Sequence, residues 1–349
     1  MRPAFELLLA LSENNVLGTG PNGESPTPPI GFGLTNEELH QVRAMRATAA
    51  IVMHYGGNDW SQAQVAGLQA QFAEMGIAVV AVTDAGFDPH KQVADIEAVL
   101  ASKPDIIVSI PTDPVATAAA YKTAAAQGVK LVFMDNVPVG MKHGEDYVSA
   151  ASADNFGNGV ASAHLMAEGV DGRGSIGVVF HDADFFVTRQ RYEAFKQTLR
   201  ESYPAIAIVE EEGIRGPDFA ADAQEAAAAM LARHADLSGI WAVWDVPAEG
   251  VMAAARAAGR DDLVITTVDL GLNVALELAR GGLISGVGAQ RPFDLGVHEA
   301  ELAAYGLLEK DAPAYVALPA LPVTRLSVLD AWESVYHNPP PPQLVEAAS

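Results

Sequence analysis

The chain has 349 residues, 50% of them hydrophobic, which suits two ordinary domains better than one and excludes a disordered protein. Its 44 acidic and 21 basic residues leave a formal net charge of −23, a surface that repels phosphate backbones and anionic membranes and argues against nucleic-acid binding. There is no cysteine, which excludes disulfides, thiolate metal sites and a cysteine nucleophile.

Residues 7–11 are apolar, but Glu6 precedes them and Ser-Glu-Asn-Asn follows. That stretch is too short and too polar for a signal peptide or a membrane span, so an exported protein is expected to have lost its leader before this sequence. Residues 14–33 are rich in Gly, Pro, Asn and Ser and read as an extended, irregular arm. A helix over 35–47 follows, with Thr35 as N-cap and Glu38 completing a capping box.

From residue 49 the chain alternates. Apolar runs at 50–53, 79–82, 106–110 and 131–134 read as strands, separated by helical stretches. The first helix carries Val65, Leu68, Phe72 and Met75 at helical spacing and stops at Gly76. The second opens on Asp88-Pro89, and a third is expected to open in the same way on Asp113-Pro114. After a loop over 141–158, strands are expected at 175–180, 205–209, 240–243, 263–268 and 284–287. Helices should lie near 188–202, 218–233, 247–258, 272–280 and 292–309. Short apolar runs joined by amphipathic helices mean βαβ units and parallel sheets, and two such series mean two lobes. Residues 339–342, being proline-rich, are expected to lie beyond the folded body.

Gly172-Arg-Gly174-Ser-Ile-Gly177 matches a dinucleotide fingerprint as a string. Its glycines fall before and within a strand, not between a strand and a helix, so no helix amides would face a pyrophosphate. His181-Asp182-Ala-Asp184 contains metal-ligand residue types, but just past a strand end these residues read as turn and cap. His298 and Glu299 lack a second histidine at ligand spacing and read as surface residues.

Chemistry gathers at the carboxyl ends of the predicted strands, where ligands bind open α/β sheets. The strand ends present Asn58 and Trp60, Asp135 and Asn136, Trp244 and Asp245, Asp269, and Gln290, with Arg189 on the first turn of a helix. Planar carboxylates and amides with a guanidinium can bridge neighbouring hydroxyls, and an indole can lie on a C–H face. This set suits a sugar or polyol. Some of the aspartates would serve equally as helix N-caps.

Over residues 49–324 the chain resembles the type I periplasmic sugar-binding proteins, the ribose-binding group that feeds ABC transporters. The resemblance rests on Asn58-Asp-Trp60, Pro111-Thr112-Asp113-Pro114, Met134-Asp135-Asn136, Ala153-Asp154-Asn155, Thr188-Arg189-Gln-Arg191, Trp244-Asp245, Val268-Asp269 and Ala289-Gln290-Arg291-Pro292. It implies an α/β fold of two Rossmann-like lobes, each a parallel sheet flanked by helices, joined by a three-strand hinge with the ligand in the interlobe cleft. Residues 49–153 plus 291–313 would form the first lobe and 154–290 plus 314–337 the second, with 1–48 an N-terminal extension and 338–349 a tail. The implied ligand contacts are Asn58, Trp60, Asp135, Asn136, Arg189, Trp244, Asp269 and Gln290. Arg189 and Asp269 would bond hydroxyls, Trp60 would stack, and Asp135 and Gln290 would complete the polar shell.

Departures from the group's pattern bear on the ligand. Asn136 stands where the ribose binders have arginine, Ser61 where they have a second aromatic, Trp244 where they have asparagine, and Ala153 where they have serine. Fewer donors and an added indole argue against ribose and toward a linear polyol or a deoxy or methylated sugar. The resemblance implies a monomer in the periplasm or another extracytoplasmic compartment, delivering a neutral sugar or polyol to an ABC transporter permease. It implies no cofactor, metal, nucleic acid, membrane span or catalysis; no nucleophile with its base can be assembled from these motifs. The alternative is a ligand-sensing domain of a transcription regulator, for which residues 1–47 offer neither a helix-turn-helix nor basic character, or a partner of a sensor kinase.

Overall fold

The computed structural model describes residues 15–31 and 33–349, so the apolar stretch at 7–11 lies outside the described residues. The capping box at Thr35 is formed. The Glu38 N–H donates to Thr35 Oγ1 at 3.2 Å and the Thr35 N–H donates to Glu38 Oε2 at 2.7 Å, which starts α1 (Asn36–Met45). After it come β1 (Thr48–Met53), α2 (Asp59–Glu74), β2 (Ala78–Asp84) and α3 (Pro89–Ala101). Asp88 caps α3 by accepting from the His90 and Lys91 N–H groups, with Pro89 in the first turn. Next are β3 (Ile106–Ser109), α4 (Ala118–Ala126), β4 (Lys130–Met134) and β5 (Ser149–Ala153). The Asp113-Pro114 entry differs from expectation. Asp113 accepts from Val115 and Ala116 and so closes a turn, and α4 begins only after Thr117.

The second series runs α5 (Asn155–Gly169), β6 (Gly174–His181), α6 (Phe186–Ser202), β7 (Ile206–Ile214), α7 (Phe219–Arg233), β8 (Gly239–Ala242), α8 (Asp245–Ala257), β9 (Val264–Val268), α9 (Leu272–Arg280) and β10 (Ile284–Ala289). The chain ends in α10 (Pro292–Leu307), β11 (Tyr315–Leu318), β12 (Leu321–Val323), α11 (Val328–Tyr336) and α12 (Pro342–Ala348). It divides into two units. The first is Thr19–Ala153 with Pro292–Leu318, and the second is Asp154–Arg291 with Pro319–Ser349 and residues 15–18.

The first unit has one sheet in the order β11-β5-β4-β3-β1-β2, with every pair parallel. The second repeats it as β12-β10-β9-β8-β6-β7, parallel except where β12 runs antiparallel to β10. Central strands are buried on both faces, as parallel sheets require; Ile51, Ile107, Val132, Val178, Trp241 and Ile265 are wholly inside. Trp241 keeps its indole N–H satisfied by donating to Ser162 Oγ at 2.9 Å.

Several boundaries differ from the sequence reading. The loop expected over 141–158 holds β5 (Ser149–Ala153) and the start of α5 (Asn155–Gly169). β7 runs on to Ile214 through Glu210, Glu211 and Glu212, because an edge strand tolerates charge; Arg233 pairs with Glu210 and Glu212, and Lys196 with Glu211. β11 belongs to the first unit, pairing Tyr315–Leu318 with Ala150–Ala153, not to the second as a boundary at 313 implied. The proline-rich end starts a helix instead of ending the body. Pro342 suits a first helical turn, and α12 packs on α9 with Leu344 fully buried.

The N-terminal arm is part of the body. Thr27 bridges to β11, donating to Tyr315 O at 2.9 Å and accepting from the Ala317 N–H at 3.1 Å. In the second unit, Leu17 and Gly18 donate to the Asp154 carboxylate at 2.7 and 2.9 Å.

Candidate functional site

β4 and β9 hold the same place in their two sheets, and each runs out into an aspartate with a left-handed backbone. Asp135 has φ 58° and Asp269 has φ 70°. Each still donates its N–H to the neighbouring strand, Asp135 to Ala151 O at 2.9 Å and Asp269 to Gly288 O at 3.1 Å. A left-handed conformation in a residue other than glycine costs about 1–3 kcal/mol and clusters at functional sites. Two such aspartates, 3% and 7% exposed, at matched positions mark both carboxyl edges.

In the second unit, Asp269 anchors a buried network. Its Oδ2 lies 3.2 Å from Arg191 Nη1 and its Oδ1 accepts from Gln290 Nε2 at 2.7 Å. Arg191 also donates Nε–H to Asn155 Oδ1 at 2.9 Å and Nη1–H to Val243 O at 3.3 Å. Burial pushes the Asp269 carboxyl up from its ordinary value, opposed by the Arg191 charge and the Gln290 amide. Gln290 Oε1 is buried without a hydrogen-bond partner.

Arg189 does not join this network. It points outward, half-exposed, and pairs with exposed Asp184 at 2.6 Å. Residues two apart on a helix face opposite ways, and α6 turns Val187, Arg191, Ala194, Phe195 and Thr198 inward. Arg191 and Asn155 are therefore the polar residues that the strand-end reading missed. The spacing of Arg191 from Val187 and Phe195 was the available signal.

Trp244 is half-buried beside β8, edge-on to His181 at 5.4 Å and to Phe219 at 4.9 Å between ring centroids. Burial pushes His181 down to about 4, so it is neutral at pH 7. Asp182, its neighbour in the motif, is tied to Arg215 at 2.6 Å. Among the described residues, no three His, Asp or Glu side chains gather as metal ligands.

In the first unit, Asp135 accepts from Ser152 Oγ at 2.5 Å, and Asn136 donates to Pro111 O at 3.3 Å. Gln92 fixes the adjoining loop, donating to Ile110 O at 2.8 Å and accepting from the Thr112 N–H at 2.7 Å. Asn58 caps α2 through the Ser61 N–H at 3.0 Å, which occupies its carbonyl oxygen. Trp60 is only 7% exposed, edge-on to His54, and its indole N–H is buried without a hydrogen-bond partner.

Glu299 corrects the surface reading. It is completely buried where α10 packs on α2, and Oε2 accepts from Gln64 Nε2 at 2.6 Å. A Cβ at Gly67 or Gly296 would collide with the facing backbone, so these two glycines permit the close helix contact. His298 is half-buried and pairs with Glu301 at 3.0 Å.

Among the described residues, no helix is long and apolar enough to cross a membrane. A family model of the periplasmic binding protein domain matches residues 49–310. The ribose import binding protein RbsB of Bacillus subtilis is 27% identical over 250 residues, covering 68% of this chain and 74% of that protein. The ribose operon repressor of Halalkalibacterium halodurans is 33% identical over 133 residues, 36% of each chain. An ABC transporter solute-binding protein from Agrobacterium vitis, solved with α-D-tagatopyranose, has the same fold with a TM-score of 0.76 at 23% identity, covering 83% of this chain and 99% of that one. With the matched strand orders and this match across most of its length, the chain belongs to the periplasmic binding protein family, in its type I sugar-binding group.

Proposed function

We propose that this protein is the extracytoplasmic solute-binding component of an ABC transporter, capturing a neutral monosaccharide or polyol for a permease and performing no chemistry on it. The observation that carries the reading is the pair of buried, left-handed aspartates at matched strand ends, Asp135 and Asp269. Each unit supplies part of what a polyhydroxylated ligand needs. The second offers a carboxylate and guanidinium held by neighbours, with the half-buried Trp244 indole nearby. The first offers Asp135, Asn136 and the Trp60 indole.

Discrimination would follow from burial. A stereoisomer that leaves the buried Gln290 Oε1 without a donor forfeits about 1–3 kcal/mol, more than a missing apolar contact. The resemblance to RbsB in sequence points to the sugar class, while Asn136 and Trp244 point away from ribose itself. A thermal-shift screen of tetritols, pentitols, hexitols and monosaccharides tests the reading. The matching compound should stabilise by about 2.7 kcal/mol at a hundred times its Kd. Stabilisation by an amino acid or nucleobase, with none by any sugar or polyol, would overturn it.

The repressor match favours a second reading, the sensing part of a transcription regulator. Deleting the gene separates the two: lost uptake of the radiolabelled compound supports transport, whereas unchanged uptake with altered transcription supports regulation.

A further inference from the structure

Glu299 and Gln64 form a hydrogen-bonded pair that the site just described does not use. Gln64 donates one N–H to Glu299 Oε2 at 2.6 Å, and both residues are wholly buried. Their other oxygens, Gln64 Oε1 and Glu299 Oε1, are also buried and have no donor. Two buried acceptors without a donor in one pair cost about 1–3 kcal/mol each. A proton on Glu299 supplies the missing donor, because a carboxylic acid O–H can meet the amide oxygen while the amide N–H meets the acid carbonyl.

The charges around Glu299 lead to the same conclusion. α10 packs on α2, β3, β4 and β5. Of these, α2 presents uncharged Gln64, and the turn after β4 presents Asp135, whose negative charge acts on Glu299. β3 and β5 contain no titratable side chain, and Lys130 lies at the opposite end of β4. On α10 itself, His298 is engaged with Glu301, and Asp294 lies in the first turn. Among the described residues no cation is paired with Glu299, and an ionised carboxylate buried without one is costly.

We propose that Glu299 is a neutral carboxylic acid sharing its proton with Gln64, and that this keeps a second buried charge from forming beside that of Asp135 at the first unit's carboxyl edge. The pair thereby sets the pH range over which the edge suits an uncharged polyhydroxylated ligand, a consequence that rests on the sugar-binding reading. Burial raises the Glu299 carboxyl well above 4.5, and Asp135 raises it further. Because the folded-state value lies above the unfolded one, the stability from this proton is full below pH 4.5 and is lost as pH climbs through the folded-state value.

The test uses apo protein, so its failure leaves the sugar-binding reading standing, and a failed ligand screen leaves this inference standing. Infrared spectra of the wild type at neutral pH should show the C=O stretch of a buried protonated carboxyl. The band should vanish on raising the pH and be missing in Glu299→Gln. In thermal unfolding from pH 5 to 9, the wild type should lose melting temperature relative to Glu299→Gln. Asp135→Asn removes the neighbouring charge and should move the midpoint of the acid band to lower pH. A neutral-pH spectrum without that band overturns the proposal even if Glu299→Gln fails to fold. So does a band midpoint that Asp135→Asn leaves in place.

Discussion

Arg191→Ala is expected to destabilise the second unit by about 3–5 kcal/mol and to abolish ligand binding. Arg191 and Asp269 are both buried, and the guanidinium bonds Asp269, Asn155 and Val243 O together. Removing it leaves a buried carboxylate with the Gln290 amide and no charge partner, and takes one donor each from Asn155 Oδ1 and Val243 O. The variant's Asp269 carboxyl should rise further above its unfolded value of 3.8, so acidification restores part of the loss by neutralising it. Chemical denaturation at pH 7 and pH 5 measures both effects, and the deficit should be smaller at pH 5. Arg189→Ala is the control. Its side chain is exposed and its ion pair with Asp184 is a surface one, so its stability should change by about 0.5 kcal/mol or less. Equal stability of the two variants would mean that Arg191 does not hold the network together.

This contrast shows what the sequence could convey about the site. Strand ends were readable because buried parallel strands leave continuous apolar runs and the polar residues that follow them stand out. Asp135, Asn136, Trp244, Asp269 and Gln290 are picked out in this way as candidates, and the sheet orders place them at carboxyl ends. Arg191 and Asn155 sit within helices, where one polar residue on an inward face looks like any other until the face is worked out. Glu299 was hidden for the same reason: it follows Leu295 by one helical turn and precedes Leu302 on the buried face of α10. Charge suggested the surface, whereas spacing pointed inward. Edge and terminal features were least legible. The glutamates of β7 break the apolar pattern because an edge strand is solvated, and prolines at 339–342 mark a helix start as readily as an end.

Trp60→Ala is expected to cost the first unit about 3–5 kcal/mol, because the indole is a core side chain at the start of α2 as well as a candidate ligand surface. Binding loss in that variant would therefore mix a damaged fold with a lost contact, and Trp60→Phe separates the two. Phenylalanine keeps an aromatic ring near His54 and removes the buried indole N–H, which has no hydrogen-bond partner. Deleting an unsatisfied buried donor recovers about 1–3 kcal/mol, which offsets the volume lost, so the apo protein should melt close to wild type. Ligand binding should respond with the opposite sign. If a ligand oxygen accepts from Nε1–H, Trp60→Phe should weaken affinity by about 0.5–1.5 kcal/mol, roughly two- to tenfold. Calorimetry with the compound from the thermal screen, beside apo unfolding of both variants, reads the two effects separately. Undiminished affinity in Trp60→Phe would limit Trp60 to packing, and a Trp60→Ala variant as stable as wild type would remove it from the core.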